Sequence, residues 1–182
     1  MPTLYTVGHG ARSIEDFVAI LRDAGIQVLV DVRRYPGSRR HPHFGRDALS
    51  RQLLTEGIRY EWWGDVLGGR RALEPGSRDR HIGWEDESFR AYAAHMETGE
   101  FRKKLSDLVE LAADHRVAVM CAESLWWRCH RRLIADAALA QGSEVVHLHD
   151  EKQQLHELTS WARVDGDGVL IYDKGEEGGG GS

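Results

Sequence analysis

Lysine is nearly missing from this chain. Of the 24 basic residues, only Lys103, Lys104, Lys152 and Lys174 are lysine, so twenty are arginine. That scarcity replaces compact point charges with planar forks, which pair bidentately with phosphate or carboxylate and stack on aromatic rings. Cysteine is equally scarce: two residues, Cys121 and Cys129, exclude a disulfide-stapled scaffold and suit reduced thiols in the cytoplasm. No apolar run approaches the roughly 20 residues needed to span a bilayer, so no membrane association is expected. The first residues, Met1-Pro-Thr-Leu-Tyr5, lack the basic and apolar regions of a secretory signal. A net charge of −5 excludes a uniformly basic nucleic-acid coat. Any anion site must be local.

What remains is the pattern of one α/β domain. The 182 residues are about one domain's length. Leu4–Gly8, Val28–Val32, Ile58–Trp62, Val117–Cys121 and Val145–Leu148 read as strands, with Val169–Tyr172 as a last edge strand. Ser13-Ile-Glu-Asp16 resembles a capping box before apolar Phe17, Ile20, Leu21 and Ala24. Further helices are predicted around Ala48–Leu54, over Phe89–Asp114 with a break near Thr98-Gly99, over Arg128–Ala140, and as a short segment from Gln153 to Trp161. An irregular stretch runs from Gly68 to Gly83. Strands alternating with helices predict a three-layer α/β sandwich, with a mostly parallel sheet of about five to six strands. The domain is expected over residues 1–174. Residues 175–182 have a flexible-linker composition, and their Gly-Gly-Gly-Gly-Ser end reads as an engineered linker or a low-complexity terminus.

Three segments carry chemistry. Gly8-His9-Gly10-Ala-Arg12 follows the first strand, where glycines permit close backbone approach to a ligand. The second runs from Asp31 to Arg46 and holds five arginines (33, 34, 39, 40 and 46) among Tyr35, His41, His43 and Phe44. Basic and aromatic residues interleaved in one loop suit phosphate pairing with base stacking. The third is Cys121-Ala-Glu123-Ser-Leu-Trp126-Trp127-Arg128-Cys129-His130-Arg131. A thiol at a helix start beside arginines gains thiolate character. The seven-residue gap between the cysteines fits neither a zinc site nor a redox pair, so no metal and no cofactor is expected. Asp31 and Glu123, each at a strand end, form a candidate carboxylate pair.

These segments together are similar to the family called domain of unknown function 488. The matching pieces are Tyr5–Ser13, Asp31–Phe44, Leu67-Gly68-Gly69, Cys121-Ala-Glu123 and Cys129-His130-Arg131-Arg132. The resemblance runs nearly the whole chain, to about Tyr172. It implies that these segments converge on one site, and it supplies no reaction.

The leading expectation is an enzyme acting on a nucleotide or nucleic acid, cleaving or transferring a base–sugar bond as a repair glycosylase does. The catalytic candidates are Asp31, Glu123, Cys121, Cys129 and His9. The substrate-binding candidates are Arg12, Arg33, Arg39, Arg40, Phe44, Trp126, His130 and Arg131. Two alternatives stand beside it: a thiol enzyme in sulfur transfer or redox chemistry using Cys121 or Cys129, and a non-catalytic nucleic-acid-binding module. The oligomeric state is not legible.

Overall fold

The computed structural model describes residues 1–73, 80–150 and 152–173. The expected tail from residue 175 to 182 lies outside them, as do residues 74–79 of the irregular stretch.

The elements run β1 (Thr3–Gly8), α1 (Ile14–Asp23), β2 (Val28–Asp31), α2 (Arg46–Thr55), β3 (Arg59–Trp62), α3 (Gly64–Leu67), α4 (Glu87–His95), α5 (Gly99–Asp114), β4 (Val117–Cys121), α6 (Arg131–Ala140), β5 (Glu144–His149), β6 (Lys152–Leu155), β7 (Arg163–Val164) and β8 (Leu170–Ile171). Short 3₁₀ turns cover Pro42–Phe44 and Trp126–Arg128. The main sheet has six strands in the order β3-β2-β4-β1-β5-β6. The first five are mutually parallel, and β6 runs antiparallel at the edge.

Burial on both faces explains why β2 and β4 read as unbroken apolar runs. Successive side chains alternate between the two faces. Val28, Val30, Val117, Val119 and Cys121 point into one core, with Tyr92 of α4, Leu105 of α5 and Ile134 of α6. Leu29, Ala118 and Met120 point into the other, with Phe17 of α1 and Leu53 of α2. The result is three layers: α1 and α2, the sheet, then α4, α5 and α6. The cap read from sequence forms, since Ser13 Oγ accepts the Asp16 amide at 3.1 Å and supplies a partner that the first helical turn lacks. Among the described residues no helix is long and apolar enough to cross a membrane.

Three local expectations are corrected. Residues 152–155 form an antiparallel strand on β5, not the start of a helix. Backbone pairing to an open sheet edge overrides the helix propensity of Lys-Gln-Gln-Leu, and His156 beyond it is buried by side-chain hydrogen bonds. The helix expected from Arg128 begins only at Arg131: Cys129 is extended (φ −135°, ψ 155°), which frees its side chain from the helix and turns it inward. The last strand does not join the main sheet. Leu170–Ile171 pair antiparallel with Arg163–Val164 in a separate ribbon.

The connections make the site. The chains leaving β1 and β2 turn to α1 and α2 on one face. The chain leaving β4, between them, turns to α6 on the other. Where neighbouring connections diverge, a crevice opens at the carboxyl ends of the strands.

Candidate functional site

A pocket of about 810 Å³ occupies that crevice. Its size falls within the usual range of small-molecule and cofactor sites. His9 and Gly10 come from the end of β1, and Arg33 to His41 from the loop after β2. Cys121 to Glu123 come from the end of β4, Arg128 to His130 from the approach to α6, and Phe89 and Tyr92 from α4.

Glycine allows these strands to meet. A Cβ at Gly8 would drive into the backbone carbonyl of Glu123, and one at Gly64 into the carbonyl of Arg33. His9 and Gly10 donate their amides to the carbonyls of Cys121 and Ala122, both at 3.0 Å, which ties the first chemical segment to the third.

Asp31 is fully buried and fully engaged. Its Oδ1 accepts the amide and Nε of Arg33 at 3.0 and 2.9 Å, and its Oδ2 accepts an Arg33 terminal nitrogen at 2.7 Å and the Tyr60 hydroxyl. It does not line the pocket. Burial works against the Arg33 charge, but the Asp31 hydrogen bonds outweigh it, so the guanidinium holds its proton more tightly than usual. Asp31 therefore presents Arg33 to the pocket, and the expected pairing of Asp31 with Glu123 as acid and base finds no support in this geometry. Glu123 is exposed on the pocket wall, accepts the Leu125 amide at 3.3 Å, and is the pocket's one carboxylate among the described residues.

His9 stacks on Phe44 with ring centroids 4.4 Å apart. Its Nδ1 donates to the Gly10 carbonyl at 2.8 Å, which leaves Nε2 as an acceptor 3.5 Å from an Arg33 terminal nitrogen. Burial pushes its pKa down to about 4, with the Arg33 charge adding to the effect, so the ring is neutral.

The pocket floor holds both thiols. Cys129 Sγ accepts the Arg131 amide at 3.4 Å at the start of α6 and lies 3.4 Å from His130 Nδ1. Because His130 Nε2 donates to the Val32 carbonyl at 3.1 Å, Nδ1 is left as a lone pair facing the sulfur. Burial pushes the Cys129 thiol up, but the adjoining Cys121 thiol, the Arg131 charge and the Arg131 amide together outweigh it, so its pKa falls below the ordinary value. Burial drives the Cys121 thiol the other way. Cys121 Sγ donates to the Glu123 carbonyl at 3.4 Å.

Arg131 is fully buried and does not line the pocket. Its guanidinium donates to the carbonyls of Glu123 and Ser124 at 3.0 and 3.3 Å and to the Thr6 hydroxyl at 3.4 Å, while its Nε has no partner. No carboxylate touches it among the described residues. A hydrogen-bonded chain leads to one instead. Asp136 accepts from His156 Nε2 at 2.7 Å and from the Tyr172 hydroxyl at 2.8 Å, and His156 Nδ1 meets His147 Nε2 at 2.9 Å. His147 Nδ1 accepts the Thr6 hydroxyl at 2.5 Å. Carboxylate oxygens only accept, so every donor in the chain points from Arg131 toward Asp136. Burial, then the charges of His156 and Arg131, push the His147 pKa down to about 2, which keeps that ring neutral.

Of the candidates read from sequence, the pocket brings together His9, Arg33, Arg39, Arg40, Cys121, Glu123, Cys129 and His130. It does not include Arg12, whose guanidinium holds the Gly8 carbonyl and pairs with Asp150. Phe44 is fully buried against His9 and Phe17, so it is core and not a stacking face. Trp126 lies flat on His147, centroids 4.2 Å apart, away from the pocket. Sequence reasoning did not assign Arg34, Tyr35, Arg70, Arg128 and Tyr92, all of which line it. Arg70 carried a signal beside Gly69 in the Gly-Gly-Arg-Arg turn, and it adopts the left-handed region (φ 59°), rare for a residue with a side chain.

An open, mostly parallel sheet with helices on both faces and a pocket at its strand ends defines a three-layer α/β protein. The chain belongs to the family described as domain of unknown function DUF488, whose model matches residues 13–138. No curated protein and no solved structure matches the chain.

Proposed function

We propose that the chain is an enzyme whose pocket takes a nucleotide, free or as one unit of a nucleic acid, and that Cys129 attacks its base–sugar bond. The observation that carries the reading is the Cys129 sulfur held 3.4 Å from a free imidazole lone pair, on the floor of a pocket with arginines at its mouth. A nucleophile beside a base that a third group orients is the common arrangement of covalent catalysis. The Val32 carbonyl is the orienting group.

The step balances without a cofactor. His130 takes the thiol proton, and the Cys129 sulfur bonds to the anomeric carbon as the bond to the base breaks. The leaving base receives the proton held by His130. Glu123 then takes a proton from water, the hydroxide displaces sulfur from the sugar carbon, and the thiolate recovers the proton from Glu123. Arg33 on the pocket wall holds the phosphate of the bound nucleotide.

A second reading leaves Cys129 out and gives the chemistry to Glu123, because it is the pocket's one carboxylate among the described residues. One experiment separates the two. Nucleosides, nucleotides and short DNA and RNA are screened for base release by chromatography, in wild type, Cys129→Ser and Glu123→Gln. Loss of release in Cys129→Ser, with nucleotide binding kept, supports the thiol reading. Full release in Cys129→Ser with loss in Glu123→Gln assigns the carboxylate instead. Neither release nor a thermal shift with any nucleotide overturns the function.

A further inference from the structure

The mouth of the pocket carries a feature that a single buried nucleotide does not use. Tyr35 is 60% exposed. Arg34 and Arg70 place their guanidinium carbons 5.5 and 5.7 Å from its ring centroid. An Arg34 terminal nitrogen donates to the Arg70 carbonyl at 2.7 Å, which fixes the two arginines to each other. Arg70 meets this arrangement in a left-handed backbone conformation, whose cost is met only where the surroundings hold it. Arg39 and Arg40 stand exposed on the same loop. None of these four arginines pairs with a carboxylate among the described residues.

On a chain of net charge −5, an unneutralised group of arginines is a local attraction for a polyanion. Exposed aromatic rings between arginines suit stacked bases between phosphates.

We infer that Arg34, Tyr35 and Arg70 form a ledge for the nucleotide that flanks the one in the pocket, so that the substrate is single-stranded nucleic acid. This rests on the nucleotide reading above and narrows it. A base stacks on Tyr35 or on a flanking guanidinium only when its face is free, which a paired duplex denies it. The neighbouring phosphates draw on Arg39 and Arg40.

The test is fluorescence anisotropy with short labelled oligothymidylate and oligouridylate, the matching labelled duplex as a third probe, and thymidine monophosphate as competitor. Oligomers of either sugar should bind more tightly than the monophosphate, and the duplex more weakly than the single strand. Tyr35→Ala should weaken oligomer binding at least about fivefold more than monophosphate binding, the low end of what one stacked base contributes. Tyr35→Phe should restore it. Arg39→Gln should reduce the salt dependence by close to one ion. Equal effects of Tyr35→Ala on oligomer and monophosphate, or a duplex that binds as well as the single strand, overturn the ledge while leaving the nucleotide pocket intact. Failure of every nucleotide probe to bind overturns both.

Discussion

His130 Nδ1 lies 3.4 Å from Cys129 Sγ, while its other nitrogen is held by the carbonyl of Val32 at 3.1 Å. Neighbours in sequence thus form a thiol–base pair whose orientation is set by a strand end nearly a hundred residues earlier.

The two thiols should differ sharply in reactivity. Net stabilisation of the Cys129 anion gives it more thiolate near neutral pH than an ordinary cysteine, whereas burial keeps Cys121 protonated. Timed alkylation with iodoacetamide at pH 7, mapped by mass spectrometry, should label Cys129 first. Prior labelling of Cys121 contradicts the assignment.

Arg131→Lys should slow that labelling. Lysine carries the charge but lacks the planar fork that spans the carbonyls of Glu123 and Ser124, so the positive charge near Cys129 moves. The pH profile of Cys129 alkylation should shift upward, with a severalfold lower rate at pH 7 while Cys121 stays slow. An unchanged profile would remove Arg131 from the activation of the thiol.

Asp31→Asn should act on stability before chemistry. It leaves the Arg33 guanidinium buried without its anion, a loss of about 3–5 kcal/mol when one partner of a buried pair is removed. The melting temperature should fall by many degrees. A normal melting temperature combined with lost turnover would instead make Asp31 a reacting group.

His9 gives stability a definite pH dependence. Its folded pKa is lowered, to about 4, so the folded and unfolded states bind the same protons above the ordinary histidine value of about 6.5. Between these values the unfolded chain takes up a proton that the folded chain refuses. Stability falls there as pH drops, by up to ~1.4 kcal/mol per pH unit. His9→Gln should flatten the stability curve between about pH 6.5 and 4 by close to one proton, measured by urea titration. His147 contributes equally to both proteins and cancels in the difference. A parallel curve for the variant refutes the assignment.

Gly8→Ala should be more damaging than an alanine in an ordinary strand. Its Cβ meets the Glu123 backbone, not a flexible side chain, so β1 and the β4 loop must move apart. Overpacking of this kind costs about 1–3 kcal/mol. A crystal structure of the variant should show Glu123 displaced. An unshifted loop with full stability counts against the close approach.

Much of the fold was legible because its signals are local. The apolar runs of β2 and β4 need no partner to be recognised, since burial on both faces excludes polar residues without buried partners, and Asp31 at the end of β2 has Arg33 and Tyr60. Ser13 announced α1 and Gly25 ended it, the glycine adopting φ 69°. The segment after His149 misled because Lys-Gln-Gln-Leu has no strand signal of its own. It is a strand only because β5 offers an unpaired edge.

The site divides along the same line. The sequence by itself determined which three segments carry the chemistry, because charge, thiols and strand-end position are properties of residue type and order. Only the tertiary structure decided their roles. Side-chain alternation turns Cys121 toward α6, an extended Cys129 turns inward beneath it, and parallel pairing of β1 and β2 with β4 brings their loops to one edge. Whether a carboxylate is a reacting group or a holder depends on how many donors reach it. Asp31 meets Arg33 and Tyr60 and is engaged, and Glu123 meets one amide and is open. No spacing along the chain records that difference, because Arg33 follows Asp31 by two residues just as Leu125 follows Glu123; which side chain folds back, and the arrival of the Tyr60 hydroxyl from paired β3, are set by the tertiary structure.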